Sequence, residues 1–88
     1  MDLTILRMDL LTRLIADRVS SVMGTIGMDS RTLALRTGLP EPVLALRLRA
    51  ASAFKLDELL RVGGALGCDP VDLLPPFAHS ADRVEAAA

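Results

Sequence analysis

In this 88-residue chain the side chains whose types could do chemistry are Cys68, His79, the neighbouring acids Asp57 and Glu58, and the charged set Glu41, Arg47 and Arg49. Covalent catalysis needs a nucleophile within reach of a base, and a metal site needs a cluster of ligands. Cys68 is the single cysteine, so it forms neither an internal disulfide nor a zinc site. It precedes a helix start, a place that can lower a thiol pKa, but a small side chain packed on the preceding helix is the simpler reading. His79 stands in the C-terminal tail with no ligand cluster and reads as a solvated residue. Asp57 and Glu58, adjacent on a helix, diverge by about 100 degrees and suit the positive end of the helix dipole. Gly63-Gly64 lacks the strand-glycine-helix context of a phosphate loop and reads as a site of close helix packing. No catalytic set survives, so the expectation is a non-enzyme with no cofactor and no metal. What remains is directional hydrogen bonding: Glu41 accepts, and Arg47 and Arg49 donate.

The elements that must position these groups are legible from spacing. Asp29 or Ser30 caps a helix carrying Leu33-Ala34 as its buried pair, and Gly38 can turn left-handed at its end. A further helix restarts after Leu39. Pro40, Glu41 and Pro42 stand in its first turn and Leu44 and Leu48 face inward. Residues 29–50 therefore read as a helix-turn-helix, a geometry that can hold its second helix in a DNA major groove. Upstream, Leu3, Leu6, Leu10 and Leu14 form one helical row, with Leu11, Ile15, Val19 and Val22 beside it. Gly24-Thr25-Ile26-Gly27 is expected to break that helix, since each glycine costs about 1 kcal/mol there. With Ile5 and Met8 added, the start of this helix is apolar around more of its circumference than one small core buries. Leu3, Ile5, Leu6, Met8 and Leu10 are the expected dimer interface, the alternative being that this segment folds back over its own core. Downstream, Leu56, Leu59, Leu60, Gly63 and Leu66 keep helical spacing up to Gly67, and Asp69-Pro70-Val71-Asp72 opens a short fifth helix. Pro75-Pro76 ends regular structure, giving a helix-turn-helix domain over 1–74 and a tail over 75–88.

Composition sets the class. Hydrophobic residues make up 51% of the chain, enough for one small domain, and the absence of Trp and Tyr leaves a core of Leu, Val, Ile, Ala and Met, which favours helices. The net charge of -1 argues against a lysine-coated polyanion binder. The charge is nevertheless uneven. Arg31, Arg36, Arg47, Arg49 and Lys55 face only Asp29 and Glu41 in residues 29–55, a net +3, whereas residues 56–88 carry a net -4. No stretch approaches the roughly 20 apolar residues of a membrane span, and the expected location is cytoplasmic.

Leu33-Ala34-Leu35-Arg36-Thr37-Gly38-Leu39, the following Val43-Leu44-Ala45-Leu46-Arg47-Leu48-Arg49, Leu56-Asp57-Glu58-Leu59-Leu60 and Ala65-Leu66-Gly67-Cys68-Asp69-Pro70 with Leu73-Leu74 together resemble the Cro and phage-repressor (XRE) family. The likeness spans about residues 11–74. It implies an all-α, five-helix phage-repressor-like bundle, here with an extended N-terminal helix. It also implies a sequence-specific, repressor-like transcriptional regulator that binds double-stranded DNA as a homodimer. By position, Ser30 and Arg31 would lie near a phosphate, Glu41, Pro42, Val43, Leu46 and Arg47 would face the groove, and Arg49 and Lys55 would approach the other strand. The chain departs from its relatives by placing Pro42, Val43 and Leu46 where they carry polar readers, Ala50 where they carry glycine and Lys55 where they carry a hydroxyl cap. The alternative is a protein-protein interaction module that kept the helix-turn-helix and lost base readout, docking a partner through Val43 and Leu46.

Overall fold

The computed structural model describes residues 3–75, with side chains described from residue 9 onward. Among these residues all regular structure is helical: α1 (Leu3–Ile26), α2 (Ser30–Thr37), α3 (Glu41–Leu48), α4 (Leu56–Leu66) and a 3-10 turn (Pro70–Leu73). No helix among them is long and apolar enough to cross a membrane. The tail beyond Pro75, with Phe77 and His79, lies outside the described residues, as do the side chains of Leu3, Ile5, Leu6 and Met8.

The second apolar row of α1 is the one that packs inward. Ile15, Val19 and Met23 are buried, with Leu11 and Val22 against them, while Leu10 of the first row is 52% exposed. They meet Leu33 and Ala34 of α2, Leu39 of the turn, Leu44 of α3, Leu59, Val62 and Leu66 of α4, and Leu73 of the 3-10 turn. Five of these side chains, Val19, Leu33, Leu44, Val62 and Leu73, are fully enclosed, each contributing roughly 2 kcal/mol through removal of apolar surface from water. α2 packs on α3 and α4, and α1 lies across α3, α4 and the 3-10 turn.

Three sequence expectations are corrected. The first concerns Gly24, which sits inside α1; the helix runs on to Ile26, held by packing of Met23 below and by the Thr25 Oγ1 donation to the Ser21 carbonyl at 3.0 Å. The break comes at Gly27, whose φ of 71° lets Met28 N–H reach back to the Met23 carbonyl at 2.9 Å, the closing bond of a Schellman motif. The second is the fifth helix, which is one 3-10 turn closed by Asp72 N–H to Asp69 O at 2.8 Å and Leu74 N–H to Val71 O at 3.1 Å. Four residues between one proline and the next pair are too few to propagate an α-helix. Thirdly, Leu56 and Leu60 on α4 point outward, 75% and 56% exposed, and Val62 and Glu58 take the inward places.

Gly63 does carry the close approach expected of it: a Cβ there would lie 3.1 Å from both the Cys68 carbonyl and Pro70 Cγ. Gly64 faces open space. Arg18 Nε donates to the Asp72 carbonyl at 3.0 Å and fastens the 3-10 turn to α1. Cys68 is half-buried, and burial, followed by the nearby Asp72 charge, pushes its thiol pKa up, opposite to what a reactive thiolate needs.

Candidate nucleic-acid interface

The turn between α2 and α3 is built by local residue chemistry. Asp29 accepts the Thr32 N–H at 2.8 Å and caps α2, and that bond is the main cause of its lowered carboxyl pKa. At the other end Gly38, at φ 75°, returns its N–H to the Ala34 carbonyl at 3.0 Å. Thr37 is buried; its hydroxyl donates to the Leu33 carbonyl at 2.8 Å and accepts the Leu39 N–H at 3.3 Å. With Leu39 and Leu44 inserted in the core on either side, the start of α3 is held in one place.

α3 splits into two faces. Leu44 is buried and Leu48 half-buried, whereas Glu41, Pro42, Ala45, Leu46 and Arg49 are exposed, and Val43 lies between, half-buried. Arg47 falls on the inward side, three residues from Leu44 and beside Leu48, and its guanidinium, expected in a groove, turns into the bundle instead. Nε and Nη2 donate to Glu58 at 2.9 and 3.3 Å, and Nη1 donates to Ser52 Oγ. The pair is largely enclosed, with side chains 13% and 7% exposed. Glu58 also accepts the Lys55 N–H at 2.8 Å, capping α4 from its third residue. The ammonium of Lys55 offers no acceptor, so the reciprocal half of a capping box is missing. The hydrogen bond from Arg47 is the first cause of the lowered Glu58 pKa, opposed by burial and reinforced by Lys55. Neither the inward turn of Arg47 nor the buried carboxylate was read from the sequence; the available signal was the spacing Leu44, Arg47, Leu48.

Of the remaining expected site residues, Arg31, Glu41, Arg49 and Lys55 are exposed and Ser30 is half-buried. The α2 N-terminus already has the Asp29 carboxylate on its Thr32 N–H, a negative charge that an approaching phosphate would meet, and Arg31 in the same turn is exposed. Arg36 on α2, which the sequence reading counted only as charge, and Ala45 on α3, which it left out of the groove set, are both exposed. Among the described residues Arg31, Arg36, Arg49 and Lys55 enter no ion pair. An open groove of about 380 Å³ runs between α2 and the start of α3, lined by Arg31, Ala34, Leu35, Leu39, Pro40 and Glu41, with Leu35 78% exposed. Of the expected dimer residues, only Leu10 has a described side chain.

The chain matches no protein-family model, no curated protein and no solved structure.

Proposed function

We propose that the protein is a DNA-binding transcriptional regulator of the phage-repressor (XRE) type, a five-element helix-turn-helix bundle that inserts α3 into a major groove and works as a twofold dimer. The observation that carries this reading is the outer face of α3. It is exposed at Glu41, Pro42, Ala45 and Leu46, and the segments before and after it carry Arg31, Arg36, Arg49 and Lys55, four exposed cations outside any ion pair of the described residues. Cations so placed can follow a phosphate backbone while the helix between them meets base edges. Dimerisation through the first turns of α1, at Leu3, Ile5, Leu6, Met8 and Leu10, doubles a small contact set and presents two half-sites about one helical turn apart.

A gel shift against fragments from the gene's own neighbourhood tests it. At about 50 mM salt, where phosphate contacts are strongest, a retarded fragment is expected that the Arg31→Ala, Arg49→Ala double variant does not retard. If nothing is retarded under those conditions, the reading fails.

The second reading, a protein-docking module, draws support from Leu35 and Leu46, 78% and 40% exposed near the same turn, and from the withdrawal of Arg47. Leu46→Asp then abolishes capture of a protein partner in a pull-down, and the gel shift stays blank for the unaltered protein.

A further inference from the structure

Resting on the DNA-binding reading, the geometry points to a specific operator chemistry: a half-site that offers one cytosine amino group to Glu41 and thymine methyl groups to Pro42, Ala45 and Leu46. Arg47 is removed from the readout set because three of its N–H groups are engaged by Glu58 and Ser52 and its side chain is only 13% exposed. The exposed face that remains is Glu41, Pro42, Ala45, Leu46 and Arg49. Glu41 and Arg49 bound it, eight residues and about 12 Å apart, a span of roughly three to four base pairs.

Each member selects by elimination among base edges. Pro42, Ala45 and Leu46 carry no side-chain donor or acceptor, and the only apolar group in the major groove is the thymine C5-methyl. Over a purine, Leu46 would strip water from N7 and O6 and give nothing in return. Glu41 is an acceptor with a negative charge, so it requires an amino group. Adenine sets its amino group beside the N7 lone pair, whereas cytosine sets its own beside C5–H, which makes cytosine the base that a carboxylate tolerates. Arg49, in the turn that follows α3, meets the phosphates as the helix leaves the groove. The half-site is therefore a cytosine with thymines in the next two base pairs.

Selection of the full chain on a random duplex pool, followed by exchange of each selected thymine for deoxyuridine, tests this directly, because the exchange deletes only the methyl group. The expected result is a half-site with cytosine and neighbouring thymines, and a loss of about fourfold in affinity for each methyl removed under α3. Leu46→Ala, at an exposed position, brings the thymine-to-uracil ratio at one base pair towards unity. Glu41→Gln moves the selected cytosine to adenine, which a glutamine amide pairs in two places. Purines selected beneath Leu46, or uracil exchange without effect, overturn this inference and leave DNA binding standing. A pool with no enriched sequence overturns both.

Discussion

At the scale of single residues the decisive pair is Arg47 with Glu58. The carboxyl pKa of Glu58 lies below its ordinary 4.5, first because Arg47 donates to it. The contribution to stability is complete above the unfolded value and is lost as pH falls through the lowered folded value. Urea unfolding from pH 7 to 3 should therefore show the unaltered protein more stable than Glu58→Gln near neutrality, with the gap closing below about 4.5. A gap that stays constant across that range would mean that the ionised form contributes nothing. Ala50 supplies the opposite case. It holds φ 60°, and Ala51 N–H reaches the Leu46 carbonyl at 3.0 Å, a Schellman closure normally given to glycine. Ala50→Gly should raise stability by about 1 kcal/mol in thermal melting, since relief of the left-handed strain outweighs the added freedom of the unfolded chain. A lower melting temperature would contradict the strain.

Between elements, the junction of α4 with the 3-10 turn makes two neighbouring glycines behave oppositely. Gly63→Ala drives a methyl against the Cys68 carbonyl and Pro70, each 3.1 Å from the new carbon, and should cost about 1 to 3 kcal/mol. Gly64→Ala meets nothing within 4 Å and should gain about 1 kcal/mol from helix propensity. Equal melting temperatures for the two variants would refute the close approach. Element ends set by residue type were legible in the chain: Asp29 and Asp69 start their elements, and Gly38 and Gly67 end theirs, because caps are local chemistry. The two apolar rows of α1, though not which of them packs inward, and the buried pair Leu33-Ala34 were legible from spacing. Gly24 was not, because packing around Met23 outweighed one unfavourable residue. The outward turn of Leu56 and Leu60 and the inward turn of Glu58 depend on how α4 is seated on α2, α1 and the 3-10 turn, about which helical period says nothing. The α2-turn-α3 segment was readable, and the inward turn of Arg47 within it was not.

For the molecule as a whole, binding should be strongly dependent on salt, with the logarithmic slope reduced by about one for each of Arg31, Arg36, Arg49 and Lys55 changed to alanine. A slope indifferent to all four would remove the phosphate track. Sedimentation should give twice the chain mass at tens of micromolar, and Leu6→Glu should return it to the monomer. A monomer in the unaltered protein would exclude the α1 interface. The engagement of Arg47, Ser52, Glu58 and the Lys55 amide with one another has a wider consequence. None of the exposed residues Glu41, Pro42, Ala45, Leu46 and Arg49 belongs to the buried core or to the Arg47–Glu58–Ser52 cluster that holds α3. On the DNA-binding reading, rewriting positions 41, 42, 45, 46 and 49 would change the target while the chassis beneath stays the same.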